Sequence, residues 1–244
     1  MTIVHRVNIL MRLTLRRNLR LIAAFVVLVP LALAAAQSGL PPELVSRGWE
    51  EITFDGKPAN RYAVCGADCV EIETDASVSM IGKPVSADLS RLPGLTWEWK
   101  VESPVAVSDL RIKGQDDRAV AVYVAFPYDS ETATFFENML RPLFVLLRGA
   151  DAPGRMLSYV WGGFGTPGEV VESPYFGGVN AIIVVHNQAT PVGGWIMERV
   201  NVVADHQRAF GTTPSMVSHI LVSADSDDTG TRNRAFVRNI MFAP

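Results

Sequence analysis

Asp116 and Asp117 are adjacent carboxylates that end a polar loop and precede a valine-rich strand. They are therefore predicted to lie at the rim of a β-sheet. There they could bind sugar hydroxyls or a cation, or take part in the acid and base chemistry of glycoside hydrolysis. Neighbouring residues of a strand point to opposite faces, so a catalytic pair would need a second carboxylate from another strand. An ion pair between Asp117 and either Arg118 or Arg199, fixing the loop, is the favoured interpretation.

The turn at 225–230 is a second acidic group. It offers oxygen donors at its first, third and fifth positions and glycine at its sixth, as calcium-binding loops do. Its twelfth position is Phe236, where a helix–loop–helix calcium site needs glutamate. A calcium site built from Asp225, Asp227 and Asp228, completed by the aspartates before the strand at 118–126, is one interpretation. The favoured alternative is a turn whose aspartates cap backbone amides.

Aromatic residues near glycine-rich loops could form a platform on which a sugar ring stacks. Tyr159, Trp161 and Trp195 are the candidates, and Trp161 lies directly before the loop at 162–168. Trp97 and Trp99 instead share a strand face with aliphatic residues, which predicts that both belong to the hydrophobic core.

The segment Trp195 to Ala204 is predicted to be a strand. The sequence contains no recognisable motif of a catalytic nucleophile, a phosphate-binding loop or a dinucleotide site. Arg199 and Asn201 in this segment, and Asp205 just after it, would share one face. This face either lines a polar groove or is simply exposed to solvent. Glu198 is a further candidate ligand-binding residue. Convergence of Arg199 and Asn201 with Asp117 and Asp227 would favour a ligand site, whereas dispersal into separate turns would favour a structural role. Histidines 186, 206 and 219 show no zinc-ligand spacing.

Residues 1–36 combine five arginines, no acidic residue and an apolar run that ends in small residues. This pattern predicts a secretory signal peptide, with an uncleaved membrane anchor as the alternative. Cleavage would leave 17 basic and 25 acidic residues, a net charge of about −8, and no stable membrane span. An acidic chain argues against nucleic acid as a partner. The protein is expected in the bacterial periplasm or outside the cell, and its oligomeric state is left open.

Cys65 and Cys69 are separated by three residues and flanked by strand-like segments. In an exported protein this spacing predicts a disulfide that clips a hairpin.

Short strands with glycine-rich connections predict one all-β domain over 37–244, an antiparallel, jelly-roll-like β-sandwich. The strand at 118–126 is apolar on both faces and therefore needs a cover on each. Apolar residues at helical spacing predict an amphipathic helical insertion near 131–148, interrupted by Pro142, as that cover.

Several motifs in order resemble one bacterial exported family. They are Trp-Glu-Trp-Lys at 97–100, Asp-Asp at 116–117, Tyr-Val-Trp-Gly at 159–162, Glu-Arg-Val-Asn-Val at 198–202 and the closing strand at 235–242. Together they are similar to the domain-of-unknown-function family DUF3047 over about residues 47 to 243. The resemblance implies an exported β-rich protein and no known activity. The closing strand also resembles that of jelly-roll carbohydrate-binding modules, an analogy of fold alone.

Three functions follow as hypotheses. The leading one is a non-enzymatic binding module for a saccharide or cell-envelope polymer, needing no cofactor unless calcium binds. The second is a polysaccharide hydrolase or lyase that uses Glu98, Asp117 or Glu198. The third is a structural envelope protein that binds other proteins.

Overall fold

The computed structural model describes residues 39–135, 137–138, 141 and 153–244. The predicted signal peptide at 1–36 lies outside these residues, as does most of the helical insertion predicted near 131–148. Phe135, Glu137 and Asn138 are helical in the described part of that insertion.

The described chain forms twelve strands and two further helices, with these bounds: α1 Pro42–Ser46, β1 Glu50–Thr53, β2 Arg61–Gly66, β3 Cys69–Asp75, β4 Val78–Asp88, β5 Gly94–Ser103, β6 Arg118–Ala125, β7 Met156–Trp161, β8 Val170–Glu172, β9 Asn180–His186, β10 Ile196–Asn201, α2 Val202–Phe210, β11 Met216–Asp225 and β12 Arg232–Ala243. They build a seven-stranded sheet in the order β1-β4-β11-β6-β7-β9-β8 and a five-stranded sheet in the order β10-β5-β12-β3-β2. Strand pairs are antiparallel except β7 with β9. The predicted β-sandwich is confirmed.

The main core lies between the two sheets because the strands alternate as predicted. Trp97 and Trp99 are 1% and 0% exposed, and their rings pack edge to face with centroids 5.2 Å apart. Both were predicted to be core residues, and both are.

A second apolar cluster covers the outer face of the seven-stranded sheet. Tyr123 and Leu221 from the sheet pack there with Leu110, which belongs to the loop between β5 and β6. Strand β6 is thus buried on both faces, as its sequence predicted. The loop supplies part of the cover that the sequence analysis had assigned to the helical insertion. Gly163, in the loop after β7, packs against Leu110 so closely that a Cβ atom at this position would lie 2.6 Å from the leucine side chain. The contact therefore leaves no room for a larger residue at position 163.

The strand predicted from Trp195 to Ala204 is wrong in its second half. β10 ends at Asn201, and α2 begins at Val202. The Asn201 side chain accepts a hydrogen bond from the Ala204 amide at 2.9 Å, the usual role of an N-cap asparagine. Gly211 ends the helix in the left-handed region at φ 71°. These two caps outweigh the strand preference of the valines at 202 and 203.

The predicted disulfide is present. Cys65 of β2 and Cys69 of β3 are bonded across the hairpin, whose strands are joined by Ala67 and Asp68.

Candidate functional site

The two acidic groups of the sequence meet where β6 begins and β11 ends. Asp117, Asp225 and Asp227 each offer a carboxylate oxygen, and these three oxygens lie within 4.8 Å of one another. Pairing of β11 with β6 brings them together, because Asp225 is opposite Arg118 in the register. The structure therefore joins residues that are more than 100 positions apart in the chain.

Asp117 is fully buried, and it organises the turn rather than pairing with arginine. Its carboxylate accepts hydrogen bonds from the Thr229 amide at 2.8 Å, the Thr229 hydroxyl at 2.5 Å and the Asp228 amide at 3.3 Å. The ion pair expected with Arg118 or Arg199 was wrong. Arg118 pairs with Asp116 at 3.2 Å instead, and Arg199 donates to the Pro244 carbonyl at 2.5 Å.

Asp225 is the most perturbed carboxyl of this group. Its Oδ2 lies 3.3 Å from Arg118, but its buried Oδ1 has no hydrogen-bond partner among the described residues. Burial raises the pKa of Asp225 to about 7, against the lowering effect of Arg118 and together with the raising effect of Asp117 and Asp116. Lys57 contacts Asp227 from the solvent side.

Trp161 does not form a stacking platform. It is 2% exposed, and its ring packs against those of Trp99, with centroids 5.7 Å apart, and His186, with centroids 4.6 Å apart. β7 is a central strand of the seven-stranded sheet, so its side chains are covered on both faces. A saccharide cannot reach this ring, and Trp161 is corrected to a core residue.

Glu198 points into the space between the sheets. Its Oε1 lies 2.7 Å from His186 Nε2 and accepts the indole N–H of Trp99 at 3.1 Å. These contacts tie the edge strand β10 to both sheets.

Asp205 lies on α2 and not on a strand face with Arg199 and Asn201, because the helix turns it away from them. It accepts a hydrogen bond from the Tyr159 hydroxyl at 3.0 Å and pairs with Arg208 at 3.0 Å. Burial raises its pKa, while Tyr159 and Arg208 act to lower it. The four residues whose convergence would favour one ligand site thus divide: Asp117 and Asp227 meet, whereas Arg199 and Asn201 lie apart.

The outer face of the five-stranded sheet is the surface that sequence reasoning largely missed. We call it the open face; its residues are Glu71, Glu73, Glu98, Lys100, Glu102, Trp195, Arg234, Phe236 and Arg238. The pairings of β5 with β10 and with β12 place Trp195, Lys100 and Phe236 side by side in a row. Trp195 and Phe236 have ring centroids 6.2 Å apart. The alternation along β5 predicts which of its residues point outward. That Trp195 and Phe236 lie on either side of Lys100 follows only from the order of the strands in the sheet.

Cations lie over both rings of the open face. The Arg238 guanidinium is 3.9 Å from the Trp195 centroid, and the Lys100 ammonium is 4.3 Å from that of Phe236. Glu98 accepts hydrogen bonds from Arg238 at 2.6 Å and from Asn239 at 2.7 Å. Hydrogen bonds from Arg238 and Asn239 lower the pKa of Glu98, so its carboxylate is held ionised and in one position.

A pocket of about 150 Å³ lies at one end of the sandwich and is lined by Phe126, Glu137, Arg155, His206 and Thr212 among others. Its polar groups are engaged with one another: Arg155 forms a two-point pair with Glu137, at 2.8 and 2.9 Å, and donates to the Thr212 hydroxyl at 2.6 Å. The pocket therefore has the character of a buried structural network.

Within the described ranges, no helix has both the length and the apolar character needed to cross a bilayer.

A comparison with curated proteins finds no match. Among solved structures, the xyloglucanase domain of NopAA from Sinorhizobium fredii is 9% identical, with a TM-score of 0.44, covering 79% of this chain and 91% of that one. A family 11 carbohydrate-binding module from Clostridium thermocellum is 9% identical, with a TM-score of 0.42, covering 80% and 88%. A family 28 carbohydrate-binding module specific for non-crystalline cellulose is 13% identical, with a TM-score of 0.34, covering 82% and 88%.

A family model described as "Protein of unknown function (DUF3047)" matches residues 47–241, which include all twelve strands except the last residues of β12. The chain therefore belongs to the DUF3047 family.

Proposed function

We propose that this protein is a non-catalytic binding module for a saccharide or cell-envelope polymer, and that its ligand lies across the open face. The observation that carries the proposal is the half-buried Trp195 ring, which lies beside Lys100 and packs against Phe236, itself only 7% exposed. Sugar rings have an apolar C–H face and a polar rim of hydroxyls. The Trp195 ring, bordered by paired carboxylates and cations, offers complementary surfaces to both.

The two sheets differ in a way that supports this location. The outer face of the seven-stranded sheet is buried under its second apolar cluster, whereas the outward side chains of β5 reach solvent. An extended polymer needs an accessible surface, and the outward side chains of β5 contribute to one.

The charges on the open face favour an uncharged ligand. Each of its three cations is paired with a carboxylate: Arg238 with Glu98 at 2.6 Å, Lys100 with Glu102 at 2.6 Å and Arg234 with Glu71 at 2.7 Å. The fourth carboxylate, Glu73, pairs with Arg61 at 2.6 Å. A strongly anionic polymer would meet no surplus of positive charge. The same pairs hold their side chains in place before binding, which lowers the entropy lost when a ligand is bound.

The carboxylates suggested for a hydrolase or lyase, Glu98, Glu198 and Asp117, do not lie together. Glu98 and Glu198 belong to paired strands but point to opposite faces of the five-stranded sheet, since Glu98 is opposite Met197 in the register. Asp117 directly precedes β6, and the amide and hydroxyl of Thr229 in the turn at 225–230 hold its carboxylate. A pair of carboxylates flanking one glycosidic bond cannot be formed from these three.

We further propose that residues 1–36 direct export to the periplasm or beyond. The Cys65–Cys69 disulfide supports this, because such bonds persist in oxidising compartments.

Titration of the protein with a panel of neutral and acidic oligosaccharides and soluble peptidoglycan fragments tests the binding site. We expect a neutral member to bind, and Trp195→Ala to weaken that binding at least about tenfold, because aromatic anchors contribute 2 kcal/mol or more at recognition surfaces. Calorimetry gives the dissociation constants.

Phe164→Ala is the matched control, because this phenylalanine is 47% exposed and follows β7 on the seven-stranded sheet, away from the open face. It is expected to change affinity less than twofold. Equal losses in the two variants, or no binding by the wild-type protein, would contradict the proposal.

A further inference from the structure

We infer that the turn at 225–230, which we call the acidic turn, forms a calcium site with Asp117, in which Asp117, Asp225 and Asp227 bind one Ca²⁺ and fasten the start of β6 to this turn between β11 and β12. This inference concerns residues other than those of the open face, and it does not depend on saccharide binding.

The spacing of the three carboxylates suits one calcium ion. Calcium–oxygen distances are about 2.3–2.6 Å, so two oxygens on the same ion lie at most about 5 Å apart. The oxygens of Asp117, Asp225 and Asp227 already satisfy this limit, since all lie within 4.8 Å of one another. The ion would need no rearrangement of the backbone to reach them.

The Asp225 side chain supplies a second, independent observation. It is 7% exposed, and its Oδ1 has no hydrogen-bond partner among the described residues. Leaving a charged oxygen buried without a partner costs more than leaving a neutral one, and native structures rarely do so. A cation bound among the three carboxylates would satisfy this oxygen.

The charge balance around the turn points the same way. Five carboxylates face two cations, a surplus of three negative charges: Asp116, Asp117, Asp225, Asp227 and Asp228 against Lys57 and Arg118. Lys57 now contacts Asp227, but its side chain is 44% exposed and can move into solvent when a divalent ion binds. Arg118 keeps Asp116 as its partner.

The donor set selects the metal. The grouped ligands are carboxylate oxygens with no histidine or cysteine among them, which suits calcium or magnesium rather than zinc or copper. Magnesium requires nearly octahedral geometry and retains most of its water, whereas calcium accepts irregular sets of six to eight oxygens. Three clustered carboxylates, with the Thr229 hydroxyl 2.5 Å from Asp117, therefore favour calcium.

Calorimetric titration of the chelator-treated full-length protein with CaCl₂ tests the inference, with thermal unfolding measured in parallel. We expect one calcium per chain and a rise in Tm that the same concentration of MgCl₂ does not reproduce. Asp225→Asn keeps the side-chain shape and is expected to weaken calcium binding at least tenfold. Asp228→Asn, in the same turn but outside the group of three, is the matched control and is expected to change affinity less than threefold.

Lys57→Ala tests the site in the opposite direction and does not depend on the stability of the Asp225 variant. Because the ammonium group competes with the ion for Asp227, its removal is expected to tighten calcium binding. Absence of calcium binding in the wild-type protein, binding unchanged by Asp225→Asn, or binding weakened by Lys57→Ala would each overturn the inference.

Discussion

Trp99→Ala is expected to lower the free energy of unfolding by about 3–5 kcal/mol, the range for removal of a buried aromatic side chain. Trp99 is fully buried in β5, between Trp97 and Trp161, whose ring centroids lie 5.2 and 5.7 Å from its own. Its indole N–H also donates to Glu198 at 3.1 Å. The substitution therefore opens a cavity between the sheets and removes a hydrogen bond from a partly buried carboxylate. Urea denaturation followed by tryptophan fluorescence or circular dichroism measures the loss.

Trp99→Phe separates these two contributions. It keeps an aromatic ring and removes the donor to Glu198, so it is expected to be clearly less destabilising than Trp99→Ala. A cost below about 1.5 kcal/mol for the alanine variant would contradict the assignment of Trp99 to the centre of the core.

Arg155→Met is expected to lower the free energy of unfolding by about 3–5 kcal/mol, because it leaves a buried carboxylate without its partner. Glu137 receives two hydrogen bonds from Arg155, at 2.8 and 2.9 Å, and both side chains are nearly inaccessible, at 5% and 8% exposure. Burial acts to raise the pKa of Glu137, but the hydrogen bonds from Arg155 and from Thr134 lower it below its usual value. Thermal and chemical unfolding of the variant give the loss.

The double variant Arg155→Met with Glu137→Gln is the control for this pair. Removing the orphaned charge is expected to restore part of the stability, as double-mutant cycles on coupled residues show. If the double variant is less stable than Arg155→Met alone, the pair does not have the energetic role assigned to it.

The sequence predicted the sandwich because β-strand alternation is a local signal. Leu95, Trp97, Trp99 and Val101 alternate with polar residues, and all four are buried as expected. The disulfide and the double burial of β6 were equally visible, since each depends on residues close together in the chain.

The errors arose where capping or long-range pairing decides the structure. Val202 and Val203 suggested a continuing strand, but the Asn201 cap starts a helix there and carries Asp205 away from Arg199. Trp161 lies beside a glycine-rich loop in the sequence, yet the strand that bears it is central in its sheet.

The acidic turn and the open face also depend on strand pairing that the sequence does not reveal. Asp117 and Asp225 were both singled out, but their meeting depends on the pairing of β6 with β11. Trp195 was a candidate platform residue, whereas Phe236 became its neighbour through the order β10-β5-β12. Residue types could be predicted locally, but the composition of each site required the sheet topology.

Nuclear magnetic resonance mapping of a bound oligosaccharide tests the central claim most directly. Isotope-labelled protein would be titrated with the neutral oligosaccharide that binds best, and the displaced resonances assigned to residues. We predict that the Trp195 indole N–H and the amides of Lys100, Phe236 and Arg238 shift together in a saturable manner, while those of Leu110 and Phe164 stay in place. Shifts confined to the seven-stranded sheet or to the pocket around Arg155 would contradict a saccharide site on the open face.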